Sequence, residues 1–561
     1  MLKPKLFTVL KEGYSKEQLI KDLTAGIIVG IIAIPLSIAL AIASGVSPEK
    51  GLYTAIIAGF IISLLGGSRV QIGGPTGAFV VIIYDIVEKK GYSALVVATI
   101  LAGILLIFMG LMKLGSVIKF IPYPLTTGFT SGIAVIIFFQ QLKDFLGLKT
   151  HKLPAEFVPR LMAYIESIHT ISINSIIIGI IALLIIIGWP YINRRIPGSL
   201  IAIIITTALV HLMNIDVVTI GDQYGNLKAA LPSLNLPELN LTEAFDLFPE
   251  ALTIAVLAGI ESLLSAVVAD GMVGDNHRSN MELVAQGTAN IFSVLFGGIP
   301  ATGAIARTAA NVRNGGRTPI AGIVHSVSVL AIMMLFMPLA KLIPLSTLAA
   351  ILMVVAYNMG EWHAFKSLFK APKTDIAIFL ATFVLTIFTD LVVAIEFGII
   401  MAAFLFMKRM ADITRIESIK DDLEFNKDIV LKNPEGVNPS IQIFQVYGPF
   451  FFGAADKFAN TIQQNISRTH VMIIRMKHVP FMDETGYHAL FKTYSYCRRH
   501  RILLLFTHVN EQPLSLMEKH GFVELIGKDN FCPDIETAII RANAYIELHN
   551  KHHSMKTEKT A

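Results

Sequence analysis

Long apolar runs separated by short polar segments fill the chain between residues 24 and 407. A helix that crosses a bilayer needs about 20 apolar residues, and fewer where it is broken or shielded by other protein. Fourteen runs fit, seven before the polar stretch 215–248 and seven after it. They are predicted at 24–43, 51–66, 75–87, 93–112, 124–142, 174–190, 198–214, 249–269, 281–296, 300–313, 317–338, 345–358, 374–389 and 391–407. The pattern predicts a polytopic α-helical membrane domain, 24–407, after an N-terminal segment, 1–23.

Composition agrees with a membrane domain that has soluble flanks. Of the 561 residues, 54% are hydrophobic and 16% are charged, whereas soluble domains carry about a quarter of charged residues. A chain this long and apolar cannot bury its hydrophobic surface in one water-soluble core. The net charge of +5 is what basic cytoplasmic loops supply, and with no nucleic-acid-binding motif we predict no nucleic-acid partner. The lone Cys497 and Cys532 fit a reduced cytosolic setting, and no cleaved signal peptide is predicted.

Basic residues concentrate in every second loop of this arrangement. With the Lys-rich N-terminus inside, the inner loops carry Arg69, Lys113, Lys119, Arg194, Arg195, Arg278, Arg313, Arg317, Lys366, Lys370 and Lys373. The outer loops carry fewer, namely Lys50, Lys89, Lys90, Lys149, Lys152, Arg160 and Lys341. Because cytoplasmic loops are enriched in Lys and Arg, both termini are predicted to be cytoplasmic, with the protein in the cell inner (plasma) membrane.

Two of the fourteen segments are short and open with glycine and proline. The third begins with Gly73-Gly74-Pro75-Thr76-Gly77-Ala78, and the tenth begins with Gly297-Gly298-Ile299-Pro300-Ala301-Thr302-Gly303-Ala304. Each is the third segment of its set of seven. Because seven is odd, the two sets are predicted to lie inverted in the membrane, as a 7+7 inverted repeat. Short, interrupted segments at matching positions of two halves indicate a transporter's binding site.

A helix that begins in the middle of the membrane favours an anion. Its first four N–H groups have no intrahelical partner, and its N-terminus carries roughly half a positive charge. Two such ends that face each other form an anion site without many basic side chains. The alternative is that the glycines and prolines only mark tight turns between spans.

Two charged residues fall at membrane depth. A carboxylate there costs about 2.5–3.5 kcal/mol, so Glu261 is expected to have a task or a partner. It suits a proton carrier or a cation ligand, or else a structural carboxylate bonded to backbone N–H groups. Arg307 lies seven residues after Pro300, about 10 Å along a helix, and either lines an anion site, pairs with Glu261 or belongs to the cytoplasmic mouth with Arg313.

The first span contains Pro35 and Ser37 among small residues. Proline inside a helix implies a kink that frees a carbonyl. Small side chains leave room for a ligand, and packing against a neighbouring helix explains them almost as well.

The C-terminal part changes to an alternation of strands and helices. Residues 408–438 are predicted to be a linker, 439–550 a small α/β domain and 551–561 a disordered tail. The strands are predicted at Ile441–Tyr447, His470–Met476 and Ile502–Thr507, and the helices at Ala454–Ile466, after Asp483 and at 534–549. No nucleotide-binding motif, metal-ligand spacing or catalytic constellation is visible, so no cofactor, no metal site and no enzyme activity are predicted.

These features together resemble the sulfate permease (SulP) family of anion transporters with a C-terminal STAS domain. The resemblance covers nearly the whole chain and most closely follows the bacterial C4-dicarboxylate transporter branch. It is carried by Ile34-Pro35-Leu36 through Gly45-Val46-Ser47-Pro48-Glu49-Lys50-Gly51-Leu52-Tyr53-Thr54, Gly73-Gly74-Pro75-Thr76, Glu261-Ser262-Leu263-Leu264 through Ala269-Asp270, Ala301-Thr302-Gly303-Ala304-Ile305-Ala306-Arg307-Thr308-Ala309-Ala310-Asn311 and Gly315-Gly316-Arg317-Thr318.

The resemblance implies a core domain of spans one to four and eight to eleven, a gate domain of the remaining spans, and a homodimer. It implies a substrate between the two short helices, lined by Pro35, Ser37, Pro75, Thr76, Gly77, Thr302, Gly303, Ala304 and Arg307. Glu261 and Ser265 fall where sodium-coupled bicarbonate members bind the cation. Glu replaces their Asp, so proton coupling is expected instead of sodium coupling. Thr485 resembles the acceptor of the STAS phosphorylation loop, or else belongs to an unmodified helix cap.

The function expected from the sequence is secondary active transport of a small anion. Sulfate and a C4-dicarboxylate such as succinate come first, and bicarbonate is the third candidate substrate. An anion exchanger, an anion channel and a membrane-anchored signalling protein with a cytoplasmic partner of the STAS domain are the alternatives. Broken spans argue against a mere anchor, because an anchor does not need them.

Overall fold

The computed structural model describes residues 2–116, 122–150, 153–154, 156–193, 196–225, 230–234, 241–360, 362–368, 370–389, 391–418, 438–451, 455, 457–458, 461–462 and 469–558. These residues divide into two compact units, Met1–Ala402 and Ala403–Ala561. Four of the basic residues used to orient the loops lie outside the described residues, namely Lys119, Lys152, Arg194 and Arg195.

Helices dominate the first unit. In chain order they are α1 (Lys5–Glu12), α2 (Lys16–Ala43), α3 (Pro48–Leu65), α4 (Val80–Leu111), α5 (Tyr123–Gln140), α6 (Leu142–Leu146), α7 (Phe157–Glu166), α8 (Ile173–Ile192), α9 (Gly198–Leu212), α10 (Ile220–Tyr224), α11 (Leu241–Asp246), α12 (Phe248–Val273), α13 (Ser279–Leu295), α14 (Ile305–Arg313), α15 (Pro319–Ala340), α16 (Leu345–Met359), α17 (Trp362–Leu368), α18 (Lys373–Phe388) and α19 (Leu391–Ile413). Two short strands, β1 (Gly73–Gly74) and β2 (Thr302–Gly303), precede α4 and α14.

Each of the fourteen predicted segments overlaps a helix of the described chain. By length and composition, seven of the described helices can cross a membrane, and α9 and α16 are shorter apolar helices. The third and fourth segments are continuous in α4, where Gly91 interrupts the helical backbone with a φ of 85°. A positive φ costs glycine little, so the chain turns there between two spans.

Several helices begin at residues other than those predicted, for local reasons. The helix that carries the first predicted span begins before residue 24, because Ser15 accepts a hydrogen bond from the N–H of Gln18 and caps α2, which starts at Lys16. The segment 1–23 therefore contains helix α1 and the start of α2. The tenth segment becomes helical only at Ile305, because the residues before it form β2.

The two interrupted segments meet through their strands. β1 and β2 pair antiparallel, with Gly73 opposite Gly303 and Gly74 opposite Thr302. A Cβ on Gly303 would lie 1.5 Å from the Nε2 atom of Gln71, so any larger residue there would force the side chain of Gln71 to move. The antiparallel pairing agrees with two inverted halves, and it brings the starts of α4 and α14 together.

Glycines let the surrounding helices pack at very short distances. A Cβ on Gly103 of α4 would lie 2.7 Å from the carbonyl oxygen of Gly287 on α13, and a Cβ on Gly26 of α2 would lie 2.5 Å from that of Ala321 on α15. Small residues at such crossings allow backbones to approach closely inside a membrane. The helices bury a large apolar cluster that includes Ala55 of α3, Ala98 of α4 and Ala258 of α12.

The second unit is an α/β domain with a five-stranded sheet. Its strands are β3 (Arg415–Ser418), β4 (Ile441–Tyr447), β5 (Val471–His478), β6 (Leu503–Thr507) and β7 (Phe531–Cys532), in that spatial order. β3 pairs antiparallel and the others pair parallel. Apolar clusters cover both faces, as a mostly parallel sheet requires. The helices are α20 (Glu484–Arg499), α21 (Glu511–Lys519), α22 (Phe522–Ile526) and α23 (Ile535–Glu558).

Helices and strands also extend into the predicted linker and the predicted tail of this part. The predicted linker 408–438 contains the end of α19 and strand β3, which pairs with β4. The predicted disordered tail 551–561 is helical as far as Glu558, because no glycine or proline ends α23. Most of the predicted helix Ala454–Ile466 lies outside the described residues.

Candidate functional site

A cavity of about 370 Å³ lies where the two interrupted segments meet. Its lining comes from α2, from both interrupted segments, and from α5, α12 and α16. The lining residues are Leu36, Leu40, Pro75, Thr76, Gly77, Ala78, Thr130, Glu261, Gly303, Ala304, Ile305, Ala306, Arg307, Val355, Asn358 and Met359. The first turn of α14 borders this cavity, and the N–H groups of a first turn have no partners within their own helix.

Arg307 brings a positive charge to the wall of the cavity. Its side chain is only 2% exposed, and one guanidinium nitrogen, Nη2, donates a hydrogen bond to the carbonyl oxygen of Pro75. The Nε and Nη1 atoms have no hydrogen-bond partner. Burial of a cation with unbonded donor atoms costs free energy. An anion bound next to Arg307 would offset this cost.

Glu261 lies on α12 at the same cavity and is half-buried. Its Oε2 atom accepts a hydrogen bond of 2.9 Å from the hydroxyl of Thr76. Among the described residues no ion pair joins Glu261 to Arg307, although the sequence left that pairing open. The two opposite charges are therefore held by different partners, and both remain available to a ligand.

The structure brings seven of the eleven predicted membrane-site residues to the cavity. They are Pro75, Thr76, Gly77, Glu261, Gly303, Ala304 and Arg307. The other four, Pro35, Ser37, Thr302 and Ser265, do not line it. On α2 the lining residues are Leu36 and Leu40, because the helix turns Ser37 into the protein, where it is fully buried.

Thr302 and Ser265 are buried structural contacts instead of lining residues. The hydroxyl of Thr302 donates to the carbonyl oxygen of Ala258 at 3.0 Å, which fixes β2 on α12. The hydroxyl of Ser265 donates to that of Thr308 at 3.3 Å, which links α12 to α14. Both residues hold the site's framework in place.

Sequence reasoning missed the side of the cavity formed by α5 and α16. Thr130, Val355, Asn358 and Met359 line it there. These residues lie in apolar helices without a buried charge, and the proline and glycines of α5 do not interrupt that helix. Their position depends on how α5 and α16 pack against the interrupted segments.

A second buried carboxylate, Glu282 of α13, was also missed. It is fully buried and accepts hydrogen bonds from the N–H groups of Gly67 and Ser68, the hydroxyl of Ser262 and the side-chain amide of Gln286. Ser262 also accepts a hydrogen bond of 3.0 Å from the amide of Gln71, which lies under β2. The sequence did contain a signal for this residue, because Glu282 is an acidic residue within the predicted apolar segment 281–296.

Comparison with known proteins identifies this architecture. Residues 19–382 match the Sulfate permease family, and residues 435–538 match the STAS domain.

The chain belongs to the sulfate permease family.

Three similar proteins illustrate the relationship. "Putative sulfate transporter YvdB" of Bacillus subtilis is 41% identical over 93% of this chain and 97% of its own length. The solved transmembrane domain of a cyanobacterium bicarbonate transporter, BicA, is 29% identical, with a TM-score of 0.62 over 70% of this chain and 98% of its own. The structure of SLC26A9 has a TM-score of 0.84 at 20% identity over 98% of this chain and 93% of its own, which shows the fold alone.

Membership in this family has three plain consequences. The protein is a membrane-integral anion transporter with a C-terminal STAS domain, as the sequence predicted. It is not an enzyme. The predicted C4-dicarboxylate branch receives no support, because the relatives named here are transporters of sulfate and bicarbonate by name.

In the STAS domain, Thr485 lies exposed in the first turn of α20. The carboxylate of Asp483 accepts a hydrogen bond of 2.9 Å from the N–H of Gly486 and so caps the helix. A threonine hydroxyl at this position is accessible for modification, and its phosphate would lie at a helix N-terminus, which favours negative charge.

Proposed function

We propose that this member of the sulfate permease family is a secondary active transporter that carries sulfate, a small oxyanion, together with protons. The observation that carries the proposal is Arg307, a buried guanidinium with two unbonded nitrogens at a cavity between two helix starts. A tetrahedral oxyanion accepts hydrogen bonds from a guanidinium and from backbone N–H groups at once.

Glu261 supports proton coupling. A dianion beside Arg307 leaves one negative charge uncompensated, and an ionised Glu261 at the same cavity would add another. Because like charges repel strongly where water is scarce, the anion and a proton on Glu261 favour each other. Anion and proton then bind and leave together, which is the requirement for symport.

Bicarbonate with sodium is the second candidate. The 29% sequence identity to the transmembrane domain of BicA favours it. The Oε2 atom of Glu261, next to the Thr76 hydroxyl, is also a suitable ligand for a cation. Succinate remains a third substrate to test, since the cavity of about 370 Å³ has room for more than one oxyanion.

The arrangement in the cell completes the proposal. We place the protein in the inner (plasma) membrane with both termini in the cytoplasm, because basic residues concentrate in the loops on the N-terminal side. The assembly is a homodimer, and the STAS domain binds a cytoplasmic partner in a way that depends on Thr485.

The deciding experiment measures uptake of labelled sulfate, bicarbonate and succinate into proteoliposomes that contain the full-length protein. An inward proton gradient is imposed, then collapsed with an ionophore, and a sodium gradient is tested in the same way. We expect sulfate uptake above equilibrium that stops when the proton gradient collapses. Sodium-driven bicarbonate uptake would favour the second candidate, and gradient-independent flux of thousands of ions per second would indicate a channel.

A further inference from the structure

A histidine outside the residues that line the cavity has no role in the proposed transport so far. His325 is on α15 and is fully buried. Neither ring nitrogen, Nδ1 or Nε2, has a hydrogen-bond partner. A neutral imidazole has one donor and one acceptor nitrogen, and burial of both without partners costs free energy that a purely structural histidine avoids.

His277 in the same protein provides the contrast. Its Nδ1 atom lies 2.6 Å from a carboxylate oxygen of Asp270, and its Nε2 atom lies 2.9 Å from the hydroxyl of Ser279. Both nitrogens of that ring are therefore bonded, as expected for a structural role. His325 lacks both kinds of contact, so its acceptor nitrogen can take a proton without breaking a hydrogen bond.

Two neighbouring backbone segments place His325 and Arg307 near the same strand, β1. The Nδ1 atom of His325 lies 3.6 Å from the position of a Cβ on Gly59, and the carbonyl oxygen of Gly73 lies 3.1 Å from the same position. One residue farther along β1, the Nη1 atom of Arg307 lies 2.3 Å from the position of a Cβ on Gly74. The ring and the guanidinium thus lie along the same stretch of β1, with glycines between them.

Arg307 is a charged residue that lies against the same strand as the ring. Of the neighbouring elements, α3 places Gly59 next to the ring and β1 places Gly73 next to Gly59, and neither residue carries a charge. Gly30 of α2 packs on the backbone carbonyl of His325 and carries no charge either. A proton on His325 would therefore be sensitive to whatever compensates the charge of Arg307.

We propose that His325 is a second proton-binding site of the transport cycle, linked to the anion through Arg307. The inference rests on the proposed function and adds a proton carrier to it. An anion on Arg307 offsets the repulsion between guanidinium and imidazolium, so the unbonded ring nitrogen takes a proton from water. When the anion leaves, the repulsion returns and the N–H bond breaks, with the proton going back to water.

Linkage gives the sign and size of the effect. If an anion promotes protonation of His325, protonation promotes anion binding by the same factor. With one linked proton, the apparent anion affinity rises up to about tenfold for each unit by which the pH falls. Proton uptake on anion binding is the direct signature, and a merely structural role for His325 would not produce it.

The test counts protons taken up when sulfate binds to the full-length protein in lipid nanodiscs. The medium is weakly buffered, contains a pH indicator dye and is set between pH 5 and 8. All variants carry Glu261→Gln, which removes the carboxylate's own contribution. We expect the single variant Glu261→Gln to take up as much as one proton per sulfate bound. The matched control adds His211→Gln to it and is expected to take up the same number, because His211 is exposed at the end of α9. Glu261→Gln with His325→Gln is expected to bind sulfate with no proton uptake.

Each other result overturns the inference in a recognisable way. Equal proton uptake with and without His325 assigns the proton elsewhere. If the variant with His325→Gln does not yield a monodisperse protein, the single variant Glu261→Gln provides the test. Zero proton uptake on sulfate binding by this single variant excludes any second proton site. Wild-type protein that binds no sulfate refutes the proposed function, and with it this inference.

Discussion

At the scale of single residues, the proposed transport site contains a charge that is buried but has no ion-pair partner among the described residues. Arg307 keeps two unbonded guanidinium nitrogens, whereas Glu282 is surrounded by four hydrogen-bond donors. A charged group whose polar atoms all have hydrogen-bond partners stabilises the framework. A charged group at a cavity that keeps unbonded polar atoms is available to a ligand. The same distinction separates His325 from His277.

The first prediction concerns Arg307. We expect Arg307→Ala to lower the efficiency of sulfate uptake by about 100-fold or more, because truncating one partner of a buried charge pair costs about 2–5 kcal/mol and 1.4 kcal/mol is a factor of ten. Arg307→Lys should be intermediate, since it keeps the charge without the planar fork. Uptake into proteoliposomes is the measurement.

Arg313 supplies the matched control for that experiment. It is an exposed arginine at the end of the same helix, α14. Arg313→Ala is expected to retain uptake close to that of the wild type. Normal uptake by Arg307→Ala, or an equal loss in Arg313→Ala, would place the essential charge at the mouth instead of at the cavity.

The second prediction concerns Glu261. In Glu261→Gln the side chain can still contact the hydroxyl of Thr76, but it can no longer bind or release a proton. We expect folding to be preserved, downhill exchange of sulfate to remain, and the dependence of uptake on an imposed proton gradient to be weaker than in the wild type, because one of the two proposed proton sites is lost. Uptake by the variant that follows the proton gradient as steeply as wild-type uptake would exclude Glu261 as a coupling group.

At the scale of elements, the β1–β2 pair is the joint between the two inverted halves. It positions the starts of α4 and α14, and the side chain of Gln71 passes directly beneath it. The amide of Gln71 bonds to Ser262, which in turn donates to Glu282. A small change in this joint therefore reaches both helix starts of the site.

The third prediction tests this joint. Gly303→Ala places a methyl group 1.5 Å from the Nε2 atom of Gln71, so we expect a loss of about 1–3 kcal/mol in stability and a loss of uptake. The measurement is the apparent melting temperature of the purified protein. Adding Gln71→Ala removes the clash and should recover part of the lost stability.

Gly271→Ala on α12 is the matched control, because a Cβ there meets no atom within 4 Å. Its melting temperature is expected to match that of the wild type or exceed it. If Gly303→Ala is as stable as Gly271→Ala, the close contact with Gln71 does not constrain the joint.

At the scale of the whole molecule, the chain consists of a transport unit and a STAS unit, each with its own apolar core. The STAS sheet recruits its edge strand, β3, from the residues directly after α19. The hydroxyl of Thr414 also donates to the carbonyl oxygen of Pro449 at 2.8 Å. The boundary of the soluble domain therefore lies before β3, within the predicted linker.

The fourth prediction compares two soluble fragments. We expect a fragment of residues 412–558 to unfold at a higher urea concentration than a fragment of residues 439–558, because the shorter one leaves the edge of β4 unpaired. An unpaired edge also promotes association between chains, so the shorter fragment should aggregate more. Circular dichroism during urea titration and light scattering are the measurements, and equal midpoints would make β3 dispensable.

The sequence by itself determined the membrane class, the helical segments, the interruption of two of them and the presence of Glu261 and Arg307 among apolar neighbours. These features are local, because twenty apolar residues, a Gly-Pro pair or a charge among apolar neighbours carries its physical meaning within one segment. The same locality made the α/β character of the C-terminal part predictable from its short strand and helix patterns.

Only the tertiary structure decided which side chains reach the cavity. Ser37 and Leu36 are neighbours on α2, yet one is buried in the protein and the other lines the cavity, because the rotation of a helix is fixed by its packing partners. Thr130 and Asn358 reach the site, and Arg307 and His325 both lie near β1, through contacts between segments far apart in the chain. Such contacts leave no mark on any one segment, so the sequence alone could not reveal them.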